Sequence, residues 1–176
     1  MNIVIANRQR TQKINVRLLK QIVSELFAEL EIAEAELGVN LVAAPEMTLV
    51  NETFLQHEGS TDVITFDYGS VVGQASSLSC SPKKNTQNRL EACPTTLHGE
   101  LFVCVDEAIL QAKKFGASWQ SEVVRYIVHG VLHLLGHDDL CAELRRKMKR
   151  EENRLVCLLA KRFALAQLSR PAKMGA

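Results

Sequence analysis

The chain has 176 residues, a formal net charge of +1 and 47% apolar residues, with a mean hydropathy of −0.02. That length suits one domain with an ordinary core and leaves little room for a second. The composition is that of a soluble globular chain, and no apolar run approaches the ~20 residues that cross a bilayer, which excludes a transmembrane helix.

In chain order, residues 2–6 are predicted to form a short strand. The apolar stretch there is brief and has no charged residue before it, so it is not expected to be a signal peptide. Asn15 can cap a long helix whose Val16, Leu19, Ile22, Val23, Leu26, Phe27 and Leu30 keep a 3.6-residue period. That helix is expected to stop by Gly38. A strand over 39–44 comes next, and Pro45 can open a short helix with Met47, Val50 and Phe54 on one face. Residues 61–66, TDVITF, read as a strand.

From Gly69 to Leu97 the chain is rich in Ser, Thr, Asn, Gln and Pro without periodicity, and a long mobile loop is expected over 69–97. Beyond it come a strand from Glu100 to Val105, a helix capped by Asp106 and ending near Phe115, and a helix capped by Ser118. A last helix is predicted over 140–168, leaving 169–176 as a flexible tail. No internal repeat is present, so residues 1–176 read as a single domain.

The five cysteines, Cys80, Cys93, Cys104, Cys141 and Cys157, are odd in number and lack a C-x-x-C spacing. This argues against a disulfide framework or a cysteine-built zinc knuckle and for reduced thiols in a cytoplasmic protein. Charge is uneven: Arg145, Arg146, Lys147, Lys149 and Arg150 form one basic run, and Arg8, Arg10, Lys13, Arg17 and Lys20 a looser one. Such cations either contact phosphates or form a solvated face, here with Glu143, Glu151 and Glu152 as partners at helical spacing.

Residues 129–139 read HGVLHLLGHDD, holding three of the five histidines. His129 and His133 are four apart on a predicted helix, so both rings leave one face and can share a cation. Composition alone produces such a pair about one time in seven, so the pair by itself decides little. The next six residues add weight: Gly136 can end the helix at positive φ and swing Asp139 back toward the histidines. The spacing is that of H-E-x-x-H-x-x-G-x-x-H zinc enzymes, with Gly130 in place of the glutamate and Asp139 in place of the third histidine. Two imidazoles and a carboxylate leave a fourth position open, as catalytic zinc sites do. Without the glutamate, peptide hydrolysis by the usual general base is not expected. His137 competes with Asp139 as third ligand, and it or Asp138 can instead orient a ligand or line the pocket. The alternative is that His129 and His133 are capping or core histidines at a helix end.

These residues resemble the YbeY family of bacterial endoribonucleases, the ribosomal RNA maturation factors, whose hallmark is H-G-x-L-H-L-x-G-x-D-H. Residues 51–66, NETFLQHEGSTDVITF, resemble the family block N-x-x-[FY]-R-x-K-D-x-P-T-D-V-L-S-F, and HGELFV at 98–103 resembles its L-G-[DE]-I-x-I strand. The likeness runs from Asn2 to about Leu159. Departures fall at Leu55 for the family arginine, His57 for the following lysine, Asp139 for the third histidine and the long loop at 69–97.

The resemblance implies an α+β fold: a single domain with a small mixed β-sheet packed by helices and the metal-binding helix beside a cleft. The β-rich middle flanked by helices is compatible with this. It further implies a zinc-dependent endoribonuclease acting on single-stranded RNA in ribosomal RNA maturation and ribosome quality control. One zinc would be held by His129, His133 and Asp139, with its water as the reacting group and no protein general base named. Thr61 and Asp62 carry over as pocket or scaffold positions. Expected partners are RNA and the ribosome, with no membrane and no DNA, and Arg145, Arg146 and Lys149 are candidates to contact RNA. Two other readings stay open: a non-catalytic ribosome-assembly or RNA-binding factor with a structural metal, and another metal-dependent hydrolase.

Overall fold

The computed structural model describes residues 1–69 and 95–169. Strand β1 (Asn2–Asn7) leads to helix α1 (Val16–Glu29), where Asn15 Oδ1 accepts from Leu18 N at 3.1 Å as the capping residue. The apolar period turns Leu19, Ile22, Val23, Leu26 and Phe27 into the core. The helix ends nine residues before the predicted stop at Gly38. Glu31 adopts φ +54°, and strand β2 (Ile32–Val42) begins at once. From Ala35 to Val39 the buried positions fall at every second residue, Ala35, Leu37 and Val39, which is a strand period. Both edges of β2 are hydrogen-bonded, and that pairing overrides the helix preference of the Ala/Glu-rich start.

Helix α2 (Ala44–Val50) has Pro45 in its first turn and buries Met47 and Val50. Phe54, predicted on the same face, lies instead on a π-turn (Asn51–Leu55) and is 63% exposed. The wider turn rotates it away from α2's buried side and onto Phe66, edge to face at 5.2 Å. Strand β3 (Val63–Asp67) is followed across the sheet by β4 (Thr95–Cys104). The expected loop therefore ends earlier than Leu97: residues 95–97 pair with Ile32, Glu34 and Ala35 of β2. Residues 70–94 lie outside the described residues, as do 170–176 of the expected tail.

The sheet order is β1-β2-β4-β3, parallel except for the antiparallel edge pair β3/β4. This is the mixed sheet of an α+β fold. Leu97, Gly99, Leu101 and Val103 of β4 face the main core, together with Leu37, Val39 and Leu41 of β2. A smaller cluster, Val42, Met47, Val50, Ile64 and Cys104, packs under α2.

Helix α3 (Val105–Phe115) is not capped by Asp106. Its N-cap is Cys104, and the Asp106 carboxylate accepts from Ala44 N at 2.8 Å and Thr11 Oγ1 at 2.9 Å, tying α2 to the segment before α1. Helix α4 (Trp119–Leu134) does begin at Ser118, whose Oγ accepts from Ser121 N. It buries Val123, Val124, Ile127, Val128, Val131 and Leu132, each worth roughly 1.5–3 kcal/mol, so it is firmly seated against β3 and β4. Two glycines set the distance between layers. A Cβ on Gly130 would lie 2.7 Å from Leu101 Cδ2, and one on Gly99 would lie 2.7 Å from both Leu134 Cδ2 and the Phe66 carbonyl.

Helix α5 (Ala142–Arg162) stops short of the predicted 168. Phe163 is extended, and a 3₁₀ turn at Leu165–Ser169 folds back to bury Leu165 and Leu168, with the Leu168 carbonyl accepting from Asn15 N at 2.8 Å. Among the described residues, no helix is long and apolar enough to cross a membrane.

Candidate metal centre

His129 and His133 project from the last two turns of α4 with ring centroids 4.6 Å apart and planes at 81°. Their Nε2 atoms face each other at 3.0 Å. Each Nδ1 meets an acceptor: His129 Nδ1 lies 3.0 Å from Glu152 Oε2, and His133 Nδ1 lies 3.0 Å from the His137 carbonyl. A carbonyl can only accept, so His133 carries its proton on Nδ1; the Glu152 carboxylate imposes the same tautomer on His129. When both rings are neutral, their Nε2 lone pairs face one another, an arrangement suited to a cation between them.

The Asp139 carboxylate joins them, and the three ligand atoms all lie within 4.8 Å of one another. The 3.0 Å Nε2 separation is close to the ~3.3 Å between two ligands of a tetrahedral ion bound at ~2.0 Å. The donor set therefore fits a metal with an open coordination position. His137 is exposed, and its ring lies outside the cluster while its backbone carbonyl holds His133. Asp138 makes a local turn, Oδ1 accepting from Leu140 N at 2.9 Å.

The return of the chain after α4 is set by Gly136, at φ +83°. His137 N donates to the Leu132 carbonyl at 3.0 Å and Gly136 N to the His133 carbonyl at 2.9 Å, the paired bonds of a Schellman turn. That turn satisfies the last carbonyls of the helix, aims the His137 carbonyl at the His133 ring, and brings Asp139 back over the pair.

The other side of the centre comes from α5. Glu152, only 8% exposed, takes Arg125 Nη1 on Oε1 at 2.6 Å and His129 on Oε2. Arg125 also donates to Asn153 Oδ1 and lies 3.6 Å from Glu122. Burial pushes the Glu152 carboxyl upward, but the hydrogen bonds from His129 and Arg125 and the Arg125 charge outweigh it and leave it below its ordinary value. The same hydrogen bond raises His129 against the effect of burial, helped by the charges of Glu152, Asp62 and Asp139.

Linear spacing groups Glu152 with the neighbouring cations and gives Arg125 no role; the fold puts both behind His129. A signal is present in the sequence: Met148, Leu155, Val156 and Leu159 form the buried stripe of α5, and Glu152 is the charged residue on it. Glu143 does pair with Lys147 at 2.8 Å and Glu151 with Arg154 at 2.7 Å. Arg145, Arg146 and Lys149 are exposed, and Arg145 Nε donates to the Asp139 carbonyl at 3.1 Å.

Thr61 and Asp62 precede β3 and line a cleft of about 440 Å³ with Ser60, Glu107, Gln111, Phe115, Glu122 and Tyr126. Asp62 Oδ1 accepts from Thr61 Oγ1 and Val63 N. Leu55, at the place of the family arginine, is 48% exposed on the π-turn.

A four-stranded mixed sheet carrying a histidine pair on its covering helix, closed by a glycine turn and a carboxylate, defines a class of α+β proteins with a candidate metal site. The profile of the family described as Endoribonuclease YbeY matches residues 4–160, and the chain belongs to that family. It is 28% identical over 161 residues to the Endoribonuclease YbeY of Syntrophotalea carbinolica, covering 90% of this chain and 96% of that one. It is 33% identical over 122 residues to the protein of the same name from Myxococcus xanthus, covering 69% of this chain but only 36% of the relative's length. The fold is shared with the solution structure of TM1509 from Thermotoga maritima, at a TM-score of 0.60 and 21% identity over 99% of both chains.

Proposed function

We propose that this chain, as one domain over residues 1–176, is a zinc-dependent endoribonuclease that cleaves single-stranded RNA in the cytoplasm. Its setting is ribosomal RNA maturation and ribosome quality control, with RNA and the ribosome as partners. The observation that carries the reading is the pair of Nε2 atoms held 3.0 Å apart beside Asp139, in a chain of the YbeY endoribonuclease family. A zinc ion at His129, His133 and Asp139 supplies electrophilic charge for a scissile phosphate and acidifies water near neutral pH.

The chain's own residues do the positioning. Glu152 and the His137 carbonyl fix both ring tautomers, so both Nε2 atoms stay available. Arg145, anchored on the Asp139 carbonyl, holds an exposed guanidinium where a phosphate approaching the centre meets it, and Arg146 and Lys149 extend the positive surface along α5. The test is metal analysis joined to an RNA cleavage assay on chelator-stripped and zinc-restored protein. Cleavage lost on stripping and regained with zinc is expected. Zinc bound without cleavage would favour the assembly-factor reading with a structural metal.

A further inference from the structure

Glu122, Tyr126, His129 and His133 fall at intervals of four, three and four residues, so they share one stripe of α4. Tyr126 lies ~4.5 Å and Glu122 about 10 Å along the axis from His129. The 440 Å³ cleft is lined by Glu122 and Tyr126 of this stripe, and so lies on the same side of α4 as the histidines, toward the start of the helix.

The cleft is rich in acceptors: Asp62, Glu107 and Glu122 line it. Glu122 is only loosely paired with Arg125, at 3.6 Å, and the Glu107 carboxylate makes no hydrogen bond or ion pair among the described residues. These carboxylates are not gathered tightly enough to hold a bare ion; the one such group among the described residues is His129, His133 and Asp139. At the base of the cleft Tyr126 is 5% exposed, and its hydroxyl is buried without a hydrogen-bond partner. Burial and the charges of Asp62, Glu122 and Glu107 hold that phenol protonated well above the ordinary tyrosine range, so it is a fixed donor among acceptors. An unpaired buried hydroxyl is costly, and a ligand oxygen would recover that cost. Phe115 stands at the rim, 69% exposed, with Lys114 Nζ 5.4 Å from its ring centroid on one face.

We propose that this cleft reads a guanine base of the RNA next to the scissile phosphate. Guanine presents one carbonyl oxygen, O6, beside two N–H donors, N1–H and the 2-amino group; a tyrosine donor flanked by carboxylates is the complement of that edge. Adenine and cytosine each offer one amino donor beside a ring nitrogen that accepts, and uracil has a single N–H between two acceptors, so each leaves a carboxylate facing an acceptor or unpaired. Phe115 supplies the stacking surface.

The inference rests on the endoribonuclease reading for its biological sense, but its test does not need cleavage. Guanosine, inosine and adenosine carry no phosphate to place on the metal, and each is titrated into the full-length protein with binding followed by NMR. Guanosine is expected to bind about ten-fold more tightly than inosine, which lacks the 2-amino group, and than adenosine. Glu107→Gln should remove about ten-fold from guanosine alone and Tyr126→Phe about five-fold, whereas Phe115→Ala should weaken all three nucleosides alike. Equal binding of the three nucleosides, or variants that bind guanosine as the parent does, would overturn the proposal even if the protein cuts RNA. A tetralysine peptide that outcompetes guanosine and is lost in Glu107→Gln would also overturn it, marking the cleft as a dock for a basic protein segment. Guanosine selectivity without RNA cleavage would instead uphold the pocket and sink the endoribonuclease reading.

Discussion

His129 and His133 are the same residue on the same helix face, yet the molecule holds them by opposite means. His133 is oriented by its own neighbourhood: four residues later the chain has turned through Gly136, and a backbone carbonyl meets its Nδ1. His129 is oriented from a distance of 23 residues by a charged network, Glu152 backed by Arg125, on the far side of the helix pair. One ring leans on backbone geometry, which no substitution at His137 removes. The other leans on side chains, which tune ring basicity and can be deleted singly. A candidate metal centre built this way has a stiff half and an adjustable half.

The largest effect should come from removing either ring. Elemental analysis of His129→Ala and His133→Ala is expected to fall from about one zinc per chain to almost none, because a site with a single imidazole and one carboxylate lacks the ligand count. Asp139→Ala should lose most of the metal and His137→Ala little. The reverse ranking of those two would move the third ligand to His137.

The adjustable half is probed next. Glu152→Gln keeps the volume but withdraws the charge behind His129, and zinc affinity measured against a chelating dye should drop about 10–100-fold. If affinity holds, α5 contributes packing and nothing to the metal. Smaller again is the stiff half's response: Gly136→Ala places a Cβ at φ +83°, costing about 1 kcal/mol in urea unfolding, with a zinc affinity reduced less than in Glu152→Gln. A larger affinity loss at Gly136 would invert the comparison.

The two halves also differ in how far the sequence discloses them. The histidine spacing, Gly136 and the carboxylate ten residues after His129 are local, and reading them places the cluster, the turn and the helix cap at Ser118 where the structure has them. Glu152 reaches His129 only because α5 packs across α4, and linear spacing assigns it to the basic run instead. The same limit explains the fold. Helix α1 is legible from its period and its Asn15 cap, but residues 32–37 read as its continuation because Ala and Glu favour helices, and only pairing with β1 and β4 makes them strand. Asp106 sits where a cap would, yet its carboxylate is engaged by Ala44 and Thr11, contacts that span 62 and 95 residues.

The smallest predicted effect lies at the surface of α5. Neutralising Arg145, Arg146 and Lys149 together should flatten the log–log salt dependence of single-stranded RNA binding by about 0.7 for each phosphate left unneutralised, with zinc content unchanged. An unchanged slope would mean that these cations face solvent, and the RNA path would be sought along Arg8 to Lys20.

Position 130 carries a consequence for what this scaffold can become. In the related zinc-peptidase spacing a glutamate comes directly after the first histidine, but here that site is pressed so closely on Leu101 and Thr65 that a single added carbon meets Leu101 at 2.7 Å and Thr65 Oγ1 at 3.3 Å. A one-step mutational route from this chain to a peptidase is therefore obstructed by packing before chemistry is even tested: Gly130→Glu must displace the buried Leu101 side chain and crowd Thr65 before its carboxylate finds room beside the histidines. Anyone redesigning the centre for amide hydrolysis would have to re-space the layers at Leu101 first, or bring a base in from another element.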